Sequence, residues 1–140
     1  MSIRILVVES FGPWRRTVLS MLKRHAEVRL VGEVADGLAA VQQVSKLKPD
    51  LILLGLVLPN LNGIEAARQI CQVVPGTKIL FLSIDGDADV VQAALSSGGQ
   101  GYVLKTDAGD ELWPAIEAVL QGKQYVSSGL VGCSHLPVSC

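Results

Sequence analysis

Charge is sparse in this chain. Asp, Glu, Lys and Arg together make 18% of it, and 13 acids against 12 bases leave a formal net charge of −1. A field so near neutral gives a polyanion such as nucleic acid no general attraction. The last Lys or Arg is Lys123, so the C-terminal stretch lacks the cations that phosphate contacts need. Aromatic residues are rarer still, at 4%. No apolar run reaches the ~18 residues of a membrane-spanning helix. The opening Ile3-Arg4-Ile5-Leu6-Val7-Val8 is too short and too strand-like for a signal peptide. The cysteines, Cys71, Cys133 and Cys140, form an odd and widely spaced set of three, unlike a secreted disulfide framework. These absences together predict a soluble, cytoplasmic protein without direct nucleic-acid binding.

What is present is apolar residue in quantity. The hydrophobic fraction is 49% over 140 residues, enough for one domain with a substantial core. Short β-branched runs alternate with amphipathic stretches. Strands are predicted at 3–8, 28–35, 51–54, 78–83 and 101–104. Helices are predicted from Pro13 through His25 and at 38–47, 63–73 and 87–97. A further helix runs from a cap at Asp107 to about Gln121. The run 51–54 does not alternate, which marks a strand buried on both faces. Repeated strand-then-helix units predict an α/β fold with a parallel sheet covered on both sides. The natural arrangement is a five-stranded, flavodoxin-like (βα)5 sandwich in the order 2-1-3-4-5, whose working crevice lies beyond the C-terminal strand ends. That rim would bring together Glu9, Ser10, Gly55, Ser83 and Lys105. Residues 1–126 are expected to form the domain, and 127–140 a loosely ordered tail with no output domain.

Several segments then carry a family likeness. Ile5-Leu6-Val7-Val8-Glu9-Ser10 resembles the opening of a response-regulator receiver domain, which normally ends in two acids. Asp50-Leu51-Ile52-Leu53-Leu54-Gly55 and Leu58-Pro59-Asn60-Leu61-Asn62-Gly63 resemble its phosphoacceptor strand and loop. Ile79-Leu80-Phe81-Leu82-Ser83 and Gly101-Tyr102-Val103-Leu104-Lys105 resemble its fourth and fifth strands. Gly32-Glu33-Val34-Ala35-Asp36-Gly37 and Gly122-Lys123-Gln124-Tyr125-Val126-Ser127 are similar to the subfamily that usually continues into a helix-turn-helix output domain.

The resemblance implies a phosphorelay chemistry whose parts can be checked one by one. An aspartate attacks a phosphoryl donor, Mg²⁺ held by carboxylates and a carbonyl neutralises charge, and a Lys and a hydroxyl stabilise the transferred group. The hydroxyl and an aromatic residue then move inward. On this template Gly55 stands where the nucleophile belongs, and Ser10 replaces one of the paired acids while Glu9 keeps the other. Ser83 keeps the hydroxyl, Lys105 the cation and Tyr102 the switch aromatic. Glu9 and the Val57 carbonyl are left as weak Mg²⁺ candidates, so no metal or other cofactor is expected to bind well.

Each residue also has a plainer role open to it. Lys105 pairs with Glu9, or else joins Ser83 in an anion site. Tyr102 is a half-buried strand aromatic or a switch. Ser10 caps the first helix. Asp85, Asp87 and Asp89 cap the fourth helix and do not make a calcium loop. Cys133, His135 and Cys140 lack the paired spacing of a zinc site. Trp14 and Trp113 pack helices.

The function expected is a degenerate pseudo-receiver: a phosphorylation-independent module of a two-component system acting through protein–protein interaction. Its partner would be a signalling protein or a second copy, met through the face of the fourth helix, fifth strand and fifth helix, in or near which Ala88, Val91, Gln92, Leu95, Leu112 and Trp113 lie, or, for a second copy, through the first and fifth helices. The alternative is a small-ligand or anion sensor using the vacated crevice near Ser83 and Lys105. No Ser-His-Asp set points to an enzyme.

Overall fold

A computed structural model describes residues 2–133. The element order is β1 (Ile3–Val8), α1 (Gly12–Leu22), β2 (Val28–Val34), α2 (Gly37–Leu47), β3 (Leu51–Gly55), α3 (Gly63–Val73), β4 (Lys78–Ser83), α4 (Ala88–Ser96), β5 (Gly101–Leu104), α5 (Ala108–Leu120) and β6 (Tyr125–Val126). One sheet, parallel throughout, runs in the order β2-β1-β3-β4-β5-β6. The expected five-stranded sheet is thus corrected to six strands. Tyr125 and Val126 pair with Gly101 and Tyr102. Two residues are too few to show an alternating pattern, so the sequence alone conceals this strand.

Alternate residues of a strand face opposite sides of the sheet. Leu6, Val8, Ile52, Leu54 and Phe81 pack with Ala40, Ala66, Ile70, Val91 and Leu95 on one side. Ile5, Val7, Leu51, Leu53 and Leu80 pack with Val18, Leu112, Ile116 and Val119 on the other. Every residue of β3 is buried, which explains its unbroken apolar run.

Local signals set the helix starts. The carboxylate of Asp36 accepts the Ala39 N–H at the head of α2, Asn62 accepts the Glu65 N–H at α3, and Asp87 accepts the Asp89 and Val90 N–H groups at α4. Two caps differ from expectation. Ser10 does not cap α1, whose N-cap position is Phe11, with no side-chain cap. Asp107 precedes α5 without capping it, because its carboxylate accepts the Ser127 hydroxyl. His25 falls in the turn after α1 rather than inside that helix.

Packing does not stop at residue 126. Ser127 is fully buried, its N–H donates to the Tyr102 carbonyl at 2.9 Å, and Leu130 joins the core. Residues 134–140, including His135 and Cys140, lie outside the described residues, as does the Cys133 side chain.

Candidate functional site

The C-terminal ends of β1, β3 and β4 and the turn after β5 surround a cavity of about 200 Å³. Glu9, Ser10, Phe11, Gly55, Leu56, Val57, Leu82, Ser83, Ile84 and Lys105 line it. All five residues assigned to the rim from sequence meet here, drawn from parts of the chain up to 96 positions apart (Glu9 to Lys105). The β3–α3 loop is drawn down onto the strand end by the Gly63 N–H, which donates to the Leu56 carbonyl at 2.8 Å. Only glycine permits that approach: a Cβ on Gly63 would stand 2.1 Å from the Gly55 carbonyl oxygen.

Glu9 dominates the floor of the cavity. Its Oε1 lies 3.2 Å from Lys105 Nζ, in a pair whose side chains are 8% and 19% exposed. Its Oε2 accepts the Phe11 N–H at 3.0 Å. The same Oε1 lies 3.1 Å from the point where a Cβ on Gly55 would stand. The glutamate therefore leans across the strand end into the space next to the missing side chain. Lys105 also sits over the Trp14 ring, 5.3 Å from its centre, so that tryptophan does more than pack a helix.

The other polar groups are engaged as well. The Ser10 hydroxyl donates to the Val57 carbonyl at 3.0 Å. The Ser83 hydroxyl accepts the Asp85 N–H at 3.0 Å. Mg²⁺ demands near-octahedral oxygen ligands and gives up water only to anionic donors. Here one carboxylate is tied to a cation and a backbone N–H, one carbonyl takes a hydroxyl, and Gly55 supplies nothing. This donor set does not fit the ion. Among the described residues no group of three or more His, Cys, Asp or Glu is placed to hold a metal.

Tyr102 is separate from the cavity lining. It points into the core on the α4 side, fully buried, and its hydroxyl donates to the Asp85 carbonyl at 2.6 Å. Burial pushes its phenol up to about 12, against a lowering hydrogen bond with Ser83, and the Asp85 charge adds to the rise.

Sequence reasoning missed the apolar collar. Phe11, Val57 and Ile84, each from a different loop, line the cavity and are 60%, 86% and 81% exposed. Nothing in a single-residue pattern distinguishes such side chains from core, since each sits near an apolar strand end. The structure settles which residues named near the expected contact face are exposed. Val91, Leu95 and Leu112 are core residues, whereas Ala88 and Gln92 are exposed. Trp113 stacks on His25, with ring centres 3.6 Å apart.

Comparison with known proteins agrees with this geometry. The response regulator receiver domain model matches residues 5–117. The transcriptional regulatory protein DegU of Brevibacillus brevis is 36% identical over 124 residues, which is 89% of this chain and 52% of the relative. A protein-glutamate methylesterase/protein-glutamine glutaminase of Alkalilimnicola ehrlichii is 37% identical over 107 residues, 75% of this chain and 27% of the relative. The chain thus spans about half the length of the first and a smaller part of the second. A crystal structure of a LuxR-family two-component response regulator from an Aurantimonas species superimposes with a TM-score of 0.89 at 30% identity, covering 94% of each chain. Among the described residues no helix is long and apolar enough to cross a membrane. With the motifs, the crevice and the sheet order in agreement, the chain belongs to the response regulator receiver domain family.

Proposed function

We propose that this receiver works by recognising a protein partner in the cytoplasm and not by accepting a phosphoryl group. The observation that carries this is the arrangement at the end of β3. Gly55 offers no nucleophile, and the Glu9 carboxylate lies beside the empty place and neutralises Lys105. The lysine that would steady a transferred phosphoryl group is already satisfied from within. Tyr102 is buried with its hydroxyl bonded to the Asp85 carbonyl. This supports a module whose arrangement is biased by partner binding, through a population shift.

The apolar collar favours a protein surface over a small charged ligand, because side chains as exposed as Phe11, Val57 and Ile84 gain most by burial. The anion-sensor alternative has less support, since Lys105 and Ser83 both have internal partners. No enzymatic reaction is assigned to the site, and Mg²⁺ has no part in it.

Incubation with acetyl phosphate and Mg²⁺, beside a Gly55→Asp variant, tests the first half. Intact mass should show no phosphoryl adduct on the natural chain. A hydroxylamine-sensitive adduct there would refute the proposal. Thermal shift against phosphate, sulfate and nucleotides tests the second half. Melting should not move, and specific stabilisation at micromolar ligand would transfer support to the sensor.

A further inference from the structure

After α5 the chain turns back along the edge of β5, and its side chains bind the start of α5. The Ser127 hydroxyl donates to the Asp107 carboxylate. The Glu111 carboxylate accepts the Tyr125 hydroxyl at 2.7 Å, the Ser128 N–H at 2.9 Å and the Ser128 hydroxyl at 2.5 Å. Leu130 closes the far end: it is 7% exposed, packs in the core that holds Tyr102, and its Cδ2 lies 3.4 Å from where a Cβ on Gly86 would stand.

This segment touches both loops that shape the crevice. Gly86 follows Ser83 and Ile84, and Asp107 lies two residues after Lys105. A continuous chain of hydrogen bonds joins them. The Ser127 N–H donates to the Tyr102 carbonyl at 2.9 Å, the Tyr102 hydroxyl to the Asp85 carbonyl at 2.6 Å, and the Asp85 N–H to Ser83 Oγ at 3.0 Å.

We infer that residues 125–130 are a latch: docked, they hold the β4–α4 loop and Tyr102 in the arrangement that shapes the crevice, and released, they free both. The segment is built for local opening. Its two bonds from Ser128 to Glu111 are exposed, where water competes, those made by the Tyr125 and Ser127 side chains are part-buried, and Leu130 is its most deeply buried apolar side chain, with Tyr125 and Val126 packed beside the core. Because two places bias one element, coupling between them runs both ways. The latch does not depend on whether the crevice accepts a phosphoryl group.

Amide hydrogen exchange on the full chain tests this. Leu130→Ala should speed exchange about tenfold at 84–87 as well as at 125–130, with β1 and β3 unchanged. Lys105→Met, at the other end, should speed exchange at 125–130. Should Leu130→Ala fail to fold, the surface change Ser128→Ala gives the same pattern at smaller amplitude. Faster exchange at 125–130 with none at 84–87 would overturn the latch. So would an equal rise across β1, β3 and the segment, which would make it an ordinary part of the global fold.

Discussion

Glu9 and Glu111 are both glutamates that serve several donors, in opposite settings. Glu9 is almost buried and faces an ammonium and a backbone N–H. Glu111 lies nearer the surface and faces two hydroxyls and a backbone N–H. A buried carboxylate is tolerable only while its partner remains, so the crevice pair is hard to break singly and easier to replace whole. A carboxylate near water is never stranded, so the bonds to Glu111 are individually weak and reversible. The crevice is closed by a pair that resists change, and the segment after α5 is held partly by exposed contacts suited to opening.

The sharpest way to break this contrast is to strand the buried charge of Glu9. Lys105→Met leaves Glu9 buried alone and should cost about 3 kcal/mol in urea unfolding. Adding Glu9→Gln to it should recover most of the loss. A cost under about 1 kcal/mol would show the pair to be water-screened, as surface pairs are. Gly55→Asp should come next, at about 1–2 kcal/mol. Its Cβ meets Glu9 Oε1 at 3.1 Å, so the glutamate must give way to a like charge. A variant as stable as the natural chain would mean that the glutamate swings aside freely. Ser128→Ala removes the exposed hydroxyl bond to Glu111, leaving the backbone N–H bond in place, and should cost about 0.5–1 kcal/mol by the same measurement.

Changes of pH probe the same difference without substitution. The hydroxyls of Ser128 and then Tyr125 hold the Glu111 carboxyl below its usual 4.5, with burial opposing them and the Ser128 N–H helping. The stabilisation from Glu111 is therefore present above the ordinary value and is lost as pH falls through the lowered one. Exchange at 125–130 should rise first in that acid window. Tyr102 and Tyr125 are both pushed from 10 to about 12, each chiefly by burial, with Ser83 opposing and Asp85 adding for Tyr102 and Glu111 then Asp107 adding for Tyr125. Raised values mean that stability is intact below pH 10 and declines between 10 and about 12, as the unfolded chain ionises first. Absorbance of tyrosinate should stay flat through pH 10 in the folded protein. A full step at pH 10 with the fold intact would contradict the burial of Tyr102 and the bond from Tyr125 to Glu111.

Much of the scaffold could be read directly. Leu51–Leu54 lack alternation because β3 is buried on both faces, and Asp36, Asn62 and Asp87 announce helix starts through short-range bonds. The five rim residues were legible through their place at strand ends and through likeness to a family. What escaped was long-range. Ser10 looked like a cap and instead reaches Val57, 47 positions away. Asp107 looked like a cap and instead takes a hydroxyl from 20 positions further on. The collar and β6 were hidden because exposure and two-residue pairing depend on neighbours that no local pattern names.

The sequence by itself determined that the parallel α/β sandwich would form and that residue 55 brings no reactive group, since both follow from side-chain chemistry and its spacing. Only the tertiary structure decided that Glu9 would lie beside that residue, that Lys105 would be held by it, and that the chain after α5 would close over β5. Those outcomes depend on distances between segments far apart in the chain, and packing alone sets them.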